Sequence, residues 1–256
     1  MKRLIKQALP VILVFVGLAL TSSLCKAQGV LLRYNLKVGE TVTINTTINQ
    51  NTSIMGQEMT TSMTMRMYMT ATEKTDSIIT TQAQLKAMTY NANIMGNTVA
   101  FDSDHMEDAD PSVVASFKEL LDKNFEVIYD IYGNIISAPE DYPQEQGVTA
   151  VFPKEMVYEG SQWTRDTKSE INGETAHSVG TYTVKKITEK DTELEITGYI
   201  NSDSGSIKSD LSGTMLIENE TGLPITATLK LPMTMTIEGA TVSTIQTISL
   251  TTEKVH

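Results

Sequence analysis

Residues 58–72 read EMTTSMTMRMYMTAT. Met63, Met65, Met67 and Met69 fall on one side with Met59, Thr61 and Ala71, and Thr60, Ser62, Thr64, Arg66, Tyr68, Thr70 and Thr72 on the other. Alternation sustained for this long has the period of a β-strand, since a helix repeats every 3.6 residues. At 3.3 Å per residue the stretch extends about 50 Å, well beyond an ordinary strand, and a strand of that length coils or bends. The expectation is therefore a strongly curved sheet.

The pattern continues on both sides. Thr41 to Gln50 alternates Val42, Ile44 and Ile48 against Thr and Asn, and Ile54-Met55-Gly56-Gln57 reads as the turn into residues 58–72. Glu73 to Asp76 turns the chain, Ser77 to Tyr90 returns, Ile94-Met95-Gly96-Asn97 repeats the Ile-Met-Gly turn, and Val99 and Phe101 mark a short strand. Val30 to Leu36 reads as a short leading strand, and Phe125 to Tyr129 with Ile131 to Ser137 as a hairpin around Asp130 and Gly133.

One segment has helical spacing. From Asp110 to Lys123, Val113, Val114, Phe117, Leu120 and Leu121 make an apolar face, Asp110 suits the cap, Pro111 the first turn and Asn124 the end. Residues 139–156, with Pro139, Pro143, Gly147 and Pro153, read as a linker across the surface. Strand patterning resumes from Val157, with turns expected at Asn172-Gly173, Glu189 to Asp191, Ser202 to Gly205, Glu220 to Gly222 and Glu238-Gly239. Leu229, Leu231, Met233, Met235 and Ile237 form a second methionine-bearing face.

The halves echo one another in order. Val38-Gly39-Glu40 resembles Glu159-Gly160-Ser161, Thr72-Glu73-Lys74 matches Thr188-Glu189-Lys190, and Asp130 with Gly133 matches Asn219 with Gly222. The reading is a mainly β (α+β) domain over 28–256, with repeats at about 28–138 and 157–256. Their curved antiparallel sheet forms a clam or half-barrel with one packed helix at about 110–123.

The N-terminus carries Lys2, Arg3 and Lys6, an apolar run from Ala8 to Leu20, and a polar region ending Cys25-Lys26-Ala27, the organisation of a secretory signal peptide over 1–27. Cleavage between Ala27 and Gln28 leaves an exported chain, periplasmic or extracellular. Lipid anchoring at Cys25 is disfavoured, because Leu24 stands where lipoprotein signals carry a small residue. Removing Cys25 leaves no thiol for disulfides, nucleophilic catalysis or metal ligation. The remaining chain has 16 basic and 31 acidic residues, a net charge of −15, which disfavours nucleic acid and anionic membrane surfaces as partners.

Catalytic patterns are missing from the sequence. His105, His177 and His256 show no paired metal spacing, and there is no G-x-S-x-G elbow, G-x-G-x-x-G or Walker loop. Asp102, Asp104, Glu107, Asp108 and Asp110 can supply oxygen ligands to calcium but lack EF-hand order, and a solvated loop leading into the helix explains them. The turn residues Asn201, Asp203 and Gly205 read the same way. Asp76-Ser77-Ile78 fits a short O-glycosylation pattern at Ser77. No cofactor is expected, and no enzymatic activity.

Gly39-Glu40, Val99 to Ser103, Phe125 to Gly133, Phe152-Pro153 through Gly160 and Trp163, and Gly222-Leu223-Pro224 together resemble an uncharacterised family of secreted Bacteroidota proteins, a domain of unknown function. The architecture is also similar to the half-barrels of periplasmic lipoprotein carriers and mycobacterial lipid-binding lipoproteins, which implies an acyl chain held between sheet and helix. Methionine, flexible and polarisable, suits an adaptable apolar cavity, although burial in a packed core also explains a methionine face. Two functions follow as expectations. The first is a binding protein for an apolar small molecule or acylated protein, held by Met63, Met65, Met67, Met69, Phe117, Leu231, Met233 and Met235. The second is a structural or interaction module with a filled core. Few aromatics and a mid-chain helix argue against an outer-membrane barrel.

Overall fold

The computed structural model describes residues 29–121, 123–140, 142, 150–171, 174–237 and 240–255. The expected signal peptide with Cys25 and the Ala27–Gln28 junction, the turns expected at Asn172-Gly173 and Glu238-Gly239, and His256 lie outside them.

Twelve strands form one antiparallel sheet: β1 (Thr41–Ile54), β2 (Gln57–Lys74), β3 (Ile78–Ile94), β4 (Asn97–Asp102), β5 (Asn124–Asp130), β6 (Ile135–Ser137), β7 (Gln162–Ile171), β8 (Glu174–Ile187), β9 (Asp191–Ser202), β10 (Ile207–Glu218), β11 (Pro224–Ile237) and β12 (Ala240–Lys254). Their order is β6-β5-β3-β2-β1-β12-β11-β10-β9-β8-β7, with β4 pairing β3 beside β5. The sheet is curved and unclosed. β1 and β12 join the halves along a register from Val42↔Lys254 to Ile54↔Val242.

Alternation decides which face is inside. Val42, Met65, Met67, Met69, Ala71, Leu194, Ile196, Leu229 and Leu250 point to the concave side and are buried, while neighbours in sequence such as Arg66, Thr72, Glu193, Glu195, Thr228 and Lys230 face out. The connections β2–β3, β5–β6, β8–β9 and β10–β11 gather at one end, here proximal, and β1–β2, β3–β4 and β9–β10 at the other, distal.

The halves match in their hydrogen bonds. Gly39 N–H donates to Ala71 O and Ala71 N–H to Glu40 O, as Gly160 N–H donates to Val184 O and Val184 N–H to Ser161 O. Register shifts follow Ala71 and Val184 alike. The Thr75 hydroxyl accepts from the amides of Ser77 and Ile78, and that of Thr188 from Lys190 and Asp191. Thr188 therefore corresponds to Thr75, three residues beyond the Thr72 echo suggested by sequence.

The helix is shorter than its apolar spacing predicts. α1 spans Pro111–Lys118, with the Asp110 carboxylate accepting from Ser112 N–H, and a 3₁₀ turn at Met106–Asp108 precedes it. Leu120 N–H reaches back only three residues, to Phe117 O, and Leu121 bridges to Leu85. Asn124 opens β5 instead of capping the helix. Tertiary pairing with β3 thus draws the last predicted turn out of the helix.

Two further expectations change. Val30 to Leu36 is not a strand. Its amides go to scattered partners, Val30 to Val157, Tyr34 to Ile131 and Asn35 to Thr221, so no ladder forms. The predicted surface linker also turns inward, because Ala150, Phe152 and Val157 are buried in the main core beside Leu32, Tyr34 and Leu36. The strand expected from Val157 begins instead at Gln162. Both crossing segments carry apolar side chains the concave face can bury, and their backbone groups find partners in the proximal turns.

Candidate functional site

The concave face holds two zones. In the proximal zone Tyr34 stacks on Tyr129 at 5.6 Å and lies 5.9 Å from Phe152, and Phe152 N–H donates to Tyr132 O. Arg33 donates to the carbonyls of Pro153 and Lys154 and lies 4.5 Å over the Tyr132 ring. Trp163 stacks on Tyr182 at 5.3 Å and donates from Nε1 to Val151 O. Burial holds the Tyr182 phenol above its ordinary pKa, against the opposing pull of Arg165.

Register places four residues in each row across β2, β1, β12 and β11. Thr61, Gln50, Gln246 and Leu231 form one row, and Met59, Thr52, Thr244 and Met233 the next toward the distal end. Thr52 and Thr244 are buried and share a 3.0 Å hydrogen bond, while Gln50 Nε2 donates to Thr52 Oγ1. These glutamines and threonines make a polar belt across the distal part of the concave face, with Met63 one row proximal to it, Met59 and Met233 in its distal row and Met235 beyond. Sequence reasoning passed over it. The signal was Gln50 and Thr52 continuing the parity of Val42, Ile44 and Ile48.

The structure divides the predicted methionine set. Met67, Met69 and Leu231 belong to the main core, and the Tyr142 hydroxyl contacts Met67 Sδ at 3.8 Å. Met65 joins Leu85, Met88 and Phe101 in a second cluster, covered by Val113, Val114 and Phe117 of α1, with Met63 at its margin. Phe117 lies 5.1 Å from Phe101 and 5.6 Å from Tyr90. Met233 and Met235 are half-buried on β11, as is Met59 on β2. Of the predicted methionines Met63, Met233 and Met235 are half-buried, and Met59, which was not among them, joins them in keeping part of its apolar surface exposed.

Two cavities lie elsewhere. One of about 210 Å³ at the proximal end is lined by Val42, Leu223, Pro224 and Ile225, with Glu218 and Lys254 beside it. It includes Thr252, whose buried Oγ1 has no hydrogen-bond partner. Lys254 reaches Glu218 at 3.1 Å, and nearby Lys37 reaches Glu220 at 3.0 Å; hydrogen bonding to Lys37 lowers the Glu220 pKa and raises that of Lys37. The other, about 360 Å³, is a polar depression on the convex face near the distal end, lined by asparagines, threonines and Ser62.

His105, Glu107 and Asp108 bring candidate ligand atoms within 4.8 Å of one another, with all three side chains in solvent. Asp102 accepts from Asp104 N–H, and Asp110 is held below the usual carboxylate range by the Ser112 hydroxyl and amide. Ser77 is exposed in the β2–β3 turn. Asp203 sits in the β9–β10 turn, where its carboxylate meets His177 at 3.1 Å.

A family of unknown function (DUF6263) has a model matching residues 144–249, in line with the resemblance to an uncharacterised family. No curated protein matches the chain. Among solved structures, one titled "Lipid-protein interactions in lipovitellin" aligns with TM-score 0.53 and 9% identity over 85% of this chain and 25% of its own. The chain thus spans a quarter of lipovitellin, and at that identity the likeness is one of fold. An outer membrane channel of Pseudomonas putida F1 aligns at 7% identity over 86% of this chain and 98% of its own, with TM-score 0.24. A DUF1329 family protein of Desulfovibrio piger does so at 7% over 82% and 83%, with TM-score 0.16. Those two scores are too low to carry an argument.

Proposed function

We propose that this chain is an exported, non-enzymatic binding protein that holds an apolar ligand, a lipid or an acylated partner, against the distal half of its concave face. The observation that carries this reading is the contrast along that face. Buried crossing segments fill the proximal zone, whereas Met63 just proximal to the polar belt, Met59 and Met233 in its distal row and Met235 beyond it keep half-exposed apolar surface. Full burial of a methionine side chain stabilises by roughly 1.5–3 kcal/mol, so four partly covered ones leave a useful share for a ligand. Methionine adapts to acyl chains of differing shape. Lipovitellin supplies a fold-level analogy, its title naming lipid–protein interactions.

The filled proximal interior favours the second reading, a structural or interaction module. Uptake of 1-N-phenylnaphthylamine, followed by fluorescence, separates the two. Saturable uptake is expected, displaced by palmitate and weakened at least tenfold by Met63→Gln with Met235→Gln while circular dichroism is unchanged. Absence of uptake, or its loss only on Ile225→Gln in the proximal cavity, overturns the distal site.

A further inference from the structure

The two Ile-Met-Gly turns lie side by side. Ile54 pairs with Gln57 across Met55-Gly56, and Ile94 pairs with Asn97 across Met95-Gly96, so both are two-residue hairpin loops. Ile94 also pairs with Met59 on β2, which makes the tips neighbours at the distal end. Met55 and Met95 have φ of 51° and 54°, and are the only non-glycine residues with positive φ among those described. Such loops favour Asn or Asp before glycine, because a longer side chain tolerates that backbone poorly. Methionine stands there twice, and the side chains are 86% and 60% exposed. Neither fold nor solubility accounts for this choice.

Charge is the second, independent observation. The chain carries a formal net charge of −11, yet Thr41 to Gln57, Met59 to Met65, Ala87 to Phe101, Leu231 to Ile237 and Thr241 to Thr252 contain no charged residue, and the sequence interrupts these runs near the tips only with Glu58 and Glu238. These segments take in all of β1, nearly all of β12 and β4, and the distal parts of β3, β2 and β11, six adjacent strands. Beside the tips, the convex depression presents Asn49, Asn51, Thr60, Asn91, Asn93 and Thr98. The Asn51, Thr60, Asn91 and Thr98 side chains make no hydrogen bond among the described residues. The end of the molecule thus runs from apolar tips to a hydrogen-bonding band of asparagines and threonines, with the exposed Glu58 carboxylate beside Thr60 on the same face.

We propose that the distal end docks on a zwitterionic phospholipid surface, with Met55 and Met95 in the acyl boundary and the asparagine–threonine band among the headgroups. Interfacial insertion needs a few apolar side chains at the tips, while the Glu58 carboxylate, on the convex face with Thr60, stays among the hydrated headgroups. Headgroup phosphates and carbonyls accept hydrogen bonds from amides and hydroxyls. A second copy of the chain is a poorer occupant, because a stable dimer buries about 800 Å² per partner and two hairpin tips with Ile94 offer far less. Docking goes beyond the ligand reading and does not require it.

The test is flotation of the exported protein with phosphatidylcholine vesicles, alongside the Met55→Asn, Met95→Asn double variant, whose new residues suit both loops. The expected result is binding that persists in 1 M salt and falls at least tenfold in the variant with thermal stability retained. No flotation, binding only to anionic vesicles, or equal binding by the variant overturns the proposal. Loss of a dimer in the variant, with no flotation of either protein, overturns it in favour of self-association. Probe uptake is measured on the same samples, so uptake without flotation leaves the ligand reading standing while the dock fails.

Discussion

The proximal and distal halves of this sheet share the same strands but not the same use of them. On β2, Met67 and Met69 are buried under the crossing segments, and Met63 and Met59, only a few residues along the same face, are half-exposed. The difference arises from what covers the face. Leu32, Tyr34, Leu36, Ala150, Phe152 and Val157 fill the proximal zone, whereas α1 covers only the margin over β2, β3 and β4. Identical patterning therefore produces a core in one place and an available surface in another.

The contrast is broken most directly by truncation. Phe152→Ala is expected to destabilise by about 3–5 kcal/mol, and Met63→Ala by no more than about half of that, since part of its surface is already in water. Urea denaturation reads both, and equal losses would mean that the distal face is packed as tightly as the proximal one.

Glycine positions sharpen the same comparison. Gly133 and Gly222 have φ of 89° and 69°, and a Cβ there meets the backbone carbonyl of Ala150 or Arg33; Gly56, at 82°, meets nothing. Alanine at either proximal site should cost about 2 kcal/mol or more, against about 1 kcal/mol at Gly56. Similar melting temperatures for the three variants would contradict the close proximal packing.

At the distal tips the sign reverses. Met55→Asn with Met95→Asn should raise stability, by up to about 1 kcal/mol, because asparagine adopts positive φ more readily. A lower melting temperature would show that these methionines serve the fold.

The smallest effect is electrostatic. The Glu220 pKa is depressed by Lys37, so its contribution is present above the ordinary carboxylate pKa and lost as pH falls through the depressed value. The Lys37 pKa is raised, so its share is present below the ordinary lysine pKa and lost as pH rises through the raised value. The melting-temperature difference between wild type and Lys37→Met should therefore shrink at both acid and alkaline extremes. A pH-independent difference would contradict the pair.

Strand patterning was legible because alternation at Met63 to Met69 and Leu229 to Met235 reports a buried face directly. The curved antiparallel sheet and the capped helix follow from such local signals. Less was legible where partners are remote. Nothing local marks Phe152 as filling a concave face, since proline and glycine nearby give the segment the look of a surface linker. Leu120 and Leu121 keep helical spacing, yet pairing with Leu85 decides their conformation. The predicted binding residues on β2 and β11 share a parity, which placed them on the concave face, while Phe117 came from the helix. Parity does not encode depth, so Met67 and Met233 read alike in sequence and differ in burial.

Native mass spectrometry of the protein purified from its own cells, with organic extraction of anything released, tests the central claim most directly. A discrete apolar adduct, lost in Met63→Gln with Met235→Gln while the fold persists, is the predicted result. A bare chain that takes up no offered lipid, or an adduct indifferent to both substitutions, would contradict a ligand site on the distal methionines.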